Sequence, residues 1–364
     1  MSKVVLVLGT KKGLFTLTSD ESREKWTQDG PFLQGNEVTH GTIDTRDGSL
    51  YATDNNPWFG PRVGKSSDMG ANWTFAENSP KFAEDSGKSV AKGWRIAPGR
   101  ESQSGLIYCG VDPASLFVSE DAGMSWQENT ALNEHPTRDK WFPGNGGLIV
   151  HSIVLDPKID NRMWVAISAA GVFRSDDAGA SWQPKNNGVK NIGAKYDPNQ
   201  ETYPEVGQCV HHLVRAAGDG DRLYAQGHWG TFRSDDGGDG WTEITEGLPS
   251  DFGMVMGAHP HNPDVAYTLP LVGGEFRCPP EAKLRVYRTS DAGKTWEPMT
   301  KGLPQTEAYM GIYREGMAVD TMPSAGVYFG TNTGQLYASK DDGDSWQRIK
   351  EDLPPISSVS AIVI

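Results

Sequence analysis

A set of side chains able to bind a metal, hold an anion or move a proton recurs at one spacing in this chain. Counting back thirteen residues from a recurring aromatic reaches His151 from Trp164, His211 from Tyr224, Arg95 from Tyr108, Met254 from Tyr267 and Glu315 from Tyr328. In one further copy the count is eleven, from Tyr51 to His40. Three of the eight histidines thus fall at one register. Imidazoles converging on a point suit a divalent transition ion such as Zn or Mn, with a carboxylate completing the shell. His40, His151 and His211 are therefore the expected metal ligands. Arg95 is expected to clamp a carboxylate or phosphate through two hydrogen bonds, and Glu315 to serve as ligand or base. His228, in a loop expected to face the same opening, joins Arg95 and Glu315 as a candidate catalytic residue, and His212 adjoins His211. Two alternatives compete: a metal-free polar site, and imidazoles that only bond backbone in a channel filled by polar side chains and water. A slip of one residue in this register would turn the side chains to the opposite face.

The elements that position these residues follow from a repeat. Ser-x-Asp-x-Gly-x-x-Trp occurs at Ser66–Trp73, Ser119–Trp126, Ser175–Trp182, Ser234–Trp241 and Ser339–Trp346, and with Thr in place of Ser at Thr289–Trp296. A degenerate seventh copy runs from Ser19 to Trp26, with Glu21 at the Asp position and Arg23 at the Gly position. Six intervals between Trp26 and Trp346 give a period of about 53 residues. Asp accepts backbone N–H groups inside a turn, Gly supplies a positive φ, and Trp opens the next strand. Strand-like runs flank each copy, as in Met163-Trp164-Val165-Ala166-Ile167 and Gly171-Val172-Phe173. Short strands with turns at a period near 50 predict an all-β, seven-bladed β-propeller of four-stranded antiparallel blades. The domain is expected to span residues 1–364. Val359–Ile364, after the last motif, is expected to close the ring as the innermost strand of the first blade, covering an edge that Lys3–Leu8 would otherwise expose.

The eight-residue motif resembles the Asp-box, or bacterial neuraminidase repeat, of sialidase-like propellers. Such repeats also occur in xyloglucan-cleaving glycosidases, sortilin-type receptors and photosystem assembly factors, so the resemblance implies a fold before an activity. It implies an enzyme of sialidase-like or glycan-processing type acting on a small acidic or sugar-like ligand; a non-catalytic binding or assembly scaffold with a protein partner is the competing class. Arg95-Ile96-Ala97-Pro98 is similar to the Arg-Ile-Pro segment whose arginine holds the substrate carboxylate in sialidases, although those have six blades. A glycosidase needs two carboxylates roughly 5–10 Å apart, and the loops at the opening offer Asp54, Asp112, Glu205, Glu307 and Glu315. Trp58, Trp94 and Trp229, and less directly Trp141, could stack sugar rings. The long loops 76–94, 128–149 and 185–209 run directly into Arg95, His151 and His211 and could form a partial lid.

Composition narrows the partners. With 34 Lys+Arg against 47 Asp+Glu the net charge is −13, which repels a nucleic-acid backbone, so no nucleic-acid partner is expected. No apolar run reaches the roughly 18 residues that span a bilayer, so no membrane partner is expected either. Met1–Thr10 lacks the pattern of a signal peptide, and three widely spaced cysteines do not make a disulfide framework; a cytoplasmic location is the expectation. Gly9-Thr10-Lys11-Lys12-Gly13 lacks the spacing of a phosphate loop, and no organic cofactor is expected.

Overall fold

The computed structural model describes residues 2–144, 146–191, 203–218 and 221–364. Seven antiparallel sheets of four strands succeed one another along the chain, forming a seven-bladed β-propeller as expected. Blade 4 shows the pattern, from the channel outwards: Val150–Leu155, Met163–Ile167, Gly171–Ser175 and Gln183–Pro184. Its second strand is buried on both faces because each blade is sandwiched between two others. Continuous apolar runs are the sequence mark of that arrangement. Among the described residues no helix is long and apolar enough to cross a membrane.

The repeated motif makes the turn that its residues imply. Ser66 Oγ accepts the Gly70 N–H at 2.8 Å, and Asp68 Oδ1 accepts the Asn72 N–H at 2.8 Å. The same pair of bonds recurs at Ser175 and Asp177, and at Ser339 and Asp341. Gly70 takes φ +100°, and Met69 before it takes +55°. Two successive left-handed residues bring the chain back sharply, and the second of them is held for glycine. In the degenerate copy it is Asp20, not Glu21, that accepts a turn N–H, from Ser22 at 3.0 Å. Arg23, at the glycine position, is freed for another task. Its guanidinium meets Asp320 at 3.2 Å and donates to the Ser324 and Lys340 carbonyls, tying blade 1 to blade 7.

Large second-strand aromatics tie other blades together. Trp164 is fully buried and donates its indole N–H to the Gly237 carbonyl, in the motif of the next blade, at 2.8 Å. Tyr51 and Tyr267 bond in the same way to Ala122 and Asp342.

Ile356–Val363 is the innermost strand of blade 1 and pairs with Lys3–Thr10, from Val4 opposite Val363 to Leu8 opposite Val359. The expected closure is therefore present, and Val4, Leu6 and Leu8 are covered by it. Deleting residues 358–364 should lower the melting temperature by more than about 5 °C, because several kcal/mol of apolar burial and a whole backbone ladder are lost. An unchanged thermal unfolding curve would refute the mechanical role given to this strand.

Candidate functional site at the channel mouth

Strand pairing corrects the expected register. Thr42, Ala97, Val154, Val214, Gly257 and Ala318 stand opposite Tyr51, Tyr108, Trp164, Tyr224, Tyr267 and Tyr328. Three residues upstream of them lie Thr39, Trp94, His151, His211, Met254 and Glu315. His40 and Arg95 thus sit one position deeper, level with Ser152 and His212. The cause is hairpin length: relative to blades 4–7, the first hairpin is one residue longer in blade 3 and one shorter in blade 2. In blades 2 to 6 the ladder is also broken by a bulge at this level, for example between Val150 and Ser152 and between Val210 and His212. Bulges re-aim side chains, here into the channel.

Two residues of the deeper layer and one of the upper layer form a bar across the channel. Arg95 of blade 3 donates to Glu315 Oε2 of blade 7, and His212 Nε2 of blade 5 lies 3.9 Å from the same oxygen. Burial pushes the Glu315 carboxyl up, against the opposing pull of Arg95 and Arg314. Its other oxygen, Oε1, is buried without a hydrogen-bond partner.

The four inward histidines are tied to their neighbours. His151 Nε2 lies 2.9 Å from the Val210 carbonyl and His211 Nδ1 lies 2.6 Å from the Gly253 carbonyl. A carbonyl only accepts, so each of these nitrogens carries the proton. His212 Nδ1 accepts the Met256 N–H at 3.1 Å, and His40 Nδ1 accepts the Ile96 N–H at 3.4 Å while its Nε2 faces Ser360 Oγ at 3.3 Å. Burial, the largest cause, drives all four rings well towards the neutral form, His212 to about 3. The described residues do not gather His40, His151 and His211 into one ligand set. They gather Cys209, His211 and His228, whose ligand atoms all lie within 4.8 Å of one another.

Above the bar, two cavities of about 170 Å³ and 740 Å³ adjoin, sharing Gly146, Met254, Arg277 and Arg314 on their walls. The smaller is lined by four cations (Lys11, Lys92, Arg277 and Arg314) and two carboxylates (Glu37 and Glu315). In a chain of charge −13 this is a local excess of positive charge. Glu37 is gripped by Lys11 at 2.5 Å and Lys92 at 2.9 Å. Burial alone would raise its pKa, but the two ammonium groups outweigh burial and hold it below the usual carboxylate range. Arg314 has no carboxylate partner among the described residues, and its Nε is buried without an acceptor. Gly146 lets backbone come close to it: a Cβ there would stand 3.1 Å from an Arg314 nitrogen. Trp94 and Tyr313 supply aromatic wall to the smaller cavity, Trp229 and Phe252 to the larger.

Several other expected residues are occupied elsewhere. Asp54 is paired with Arg62 at 2.6 Å, Glu205 and Glu307 are exposed, and Trp141 packs against Phe173 and His135. Trp58 stands 87% exposed on a hairpin tip. Residues 192–202 of the third long loop lie outside the described residues. The site expected from the sequence did not include Glu37, Cys209, Arg277 or Arg314. For Cys209 a signal existed, since it lies two residues before His211 and strand alternation puts both on one side.

No protein-family model matches the chain, and no curated protein does. Solved structures do. The chain is similar to the GH74 enzyme of Niastella koreensis, at 16% identity and TM-score 0.62, over 99% of this chain and 52% of that one. It is similar to the GH74 xyloglucanase from Xanthomonas campestris at 17% identity and TM-score 0.62, again over 99% and 52%. It also matches YCF48 bound to a D1 peptide at 15% identity and TM-score 0.53, over 86% and 81%. The chain spans about half the length of the two GH74 proteins. At these identities the likeness is one of fold.

The buried imidazoles generate a pH prediction. His40 is neutral when folded and takes a proton near its ordinary value of 6.5 when unfolded. The unfolded state therefore binds more protons below that value. Stability is complete above about 6.5 and falls with pH by about 1.4 kcal/mol per unit for each such ring. Urea unfolding of His40→Gln between pH 6.5 and 5 should show a dependence shallower by one proton than the parent's. Equal slopes would show that His40 charges in the folded state.

Proposed function

We propose that the channel mouth binds a small anionic, sugar-like ligand and processes it by acid–base chemistry. The observation that carries this reading is Arg314, a guanidinium on the wall of both cavities whose buried Nε has no acceptor. Burying a cation without a partner is costly, so such a group is retained where a ligand supplies the anion. Arg277, beside it, would share a carboxylate or phosphate, and Trp94 and Tyr313 would flank a sugar ring. Glu37 and Glu315 line the same cavity with proton affinities driven in opposite directions, the pattern of a carboxylate pair divided between ionised partner and proton donor. Glu315 would be the donor and Glu37 the ionised member. Arg95 would then position Glu315 from below, in place of the anion clamp expected of it.

A second reading, a face that docks a protein, rests on one observation. Among the described residues the exposed aromatics Trp58, Phe59, Phe142, Tyr203, Phe276 and Tyr309 all lie on loops at the channel-mouth end, whereas Met69, Met124, Ile159 and Ile364 are the large apolar residues exposed at the other.

Thermal-shift titration with hexuronates, sugar phosphates and the matching neutral hexoses separates these readings. Anionic sugars should stabilise the parent protein and neutral ones should not. Arg314→Met should abolish that difference while leaving the ligand-free melting temperature equal or higher, because an unpaired desolvated charge is removed. Equal stabilisation by neutral sugars, or an anion effect that survives in Arg314→Met, would overturn the proposal. Glu315→Gln should keep binding and cut turnover of aryl glycosides of the bound sugar acid by about 100-fold or more; undiminished turnover would remove Glu315 from the chemistry.

A further inference from the structure

The larger cavity carries a second set of donors that the anion site does not use. Cys209 and His211 lie at the entry of the innermost strand of blade 5, and His211 is the bulged residue between Val210 and His212. His228 lies where the second strand of that blade, Leu223–Gly227, turns into the third. Its backbone N–H donates to the Cys209 carbonyl at 2.9 Å, so the ladder itself places His228 across from Cys209. Cys209 Sγ stands 3.4 Å from His211 Nε2. With metal–sulfur and metal–nitrogen bonds of about 2.3 and 2.05 Å, a tetrahedral zinc ion holds these two atoms about 3.6 Å apart.

We infer that Cys209, His211 and His228 form a three-ligand site for a divalent ion of zinc's type, with its fourth position open to the 740 Å³ cavity. Three further observations support the assignment. His211 Nδ1 donates to the Gly253 carbonyl at 2.6 Å, which fixes the tautomer and leaves the Nε2 lone pair facing the sulfur. Outer partners of this kind orient ligating histidines. The Phe252 ring lies edge-on to both His211 and His228, at 5.3 and 4.9 Å between centroids, and walls one side of the cluster with apolar surface. Arg314 lines the same cavity, so a ligand anion held by Arg314 would share that cavity with the vacant coordination position. One thiolate with two imidazoles selects zinc, cobalt or copper over calcium and magnesium. On binding, the metal displaces the thiol proton to solvent and takes the sulfur as thiolate; the imidazoles bind neutral.

Full-length protein without a polyhistidine tag, stripped with a chelator, is titrated with Co²⁺ and followed by absorption. The expected result is one equivalent bound, with a thiolate-to-cobalt charge-transfer band in the near ultraviolet and visible bands of four-coordinate intensity, both displaced by Zn²⁺. Cys209→Ser should lose the charge-transfer band, and His228→Gln should weaken binding at least tenfold while circular dichroism stays that of the parent. Cys278→Ser, altering the cysteine of the loop between the second and third strands of blade 6, which bonds the Tyr309 carbonyl instead, should leave the spectrum unchanged. Absence of the band at one equivalent, or its survival in Cys209→Ser, overturns the assignment. None of these readouts involves a sugar or an anion, so the metal site and the anion site stand or fall separately.

Discussion

Neighbouring blades of this propeller are separate sheets, so no continuous backbone ladder joins their innermost strands. Beside one backbone bond, from the Val359 N–H of blade 1 to the Glu315 carbonyl of blade 7 at 2.8 Å, side chains make those joints. The imidazoles answer that requirement. His40 reaches the backbone of blade 3, His151 that of blade 5, and His211 and His212 that of blade 6. Thr39 and Ser360 make similar bonds to the Gly93 and Gly41 carbonyls. A neutral imidazole suits the task because it can donate or accept at either nitrogen, so the strand ahead can offer an N–H or a C=O. The cost is that the channel wall tolerates no charge on these rings.

The same economy explains how a site can sit on this wall. His211 joins blade 5 to blade 6 through Nδ1, which leaves Nε2 facing Cys209 Sγ at 3.4 Å. Arg95 and Glu315 span the channel and close its floor, with the carboxylate almost fully buried and the guanidinium less so. Above that bar Glu37 is paired with Lys11 and Lys92, while Arg314 has no carboxylate partner among the described residues. An unpaired, partly buried charge is where a folded protein departs from its own stability rules.

Most of the fold was legible in the residues. The motif's Asp, Gly and Trp fix a turn, and seven turns at an even period fix seven blades. The Glu21 position of the degenerate copy was misread because Asp20 offers the same carboxylate one residue earlier, while Arg23 takes φ +55° at the glycine position and is anchored on blade 7. The histidine register was read correctly for His151 and His211 and one residue off for His40 and Arg95. There the error came from hairpin length, which sequence periodicity does not encode. In a strand one residue exchanges the two faces, so a small slip merged two different layers of the channel into one apparent ring.

By itself the sequence determined the local chemistry: where turns form, which strands are buried on both faces, and that imidazole, guanidinium and carboxylate groups face a common axis. Only the tertiary structure decided which of them meet. Cys209, His211 and His228 converge because a bulge and a hairpin bond bring them together across one blade, while Glu37, Arg277, Arg314 and Glu315 converge from three different blades. Distance in the chain says nothing about such meetings. They are set by the angle between blades, by single-residue differences in hairpin length and by the strand Ile356–Val363 that draws the last blade against the first.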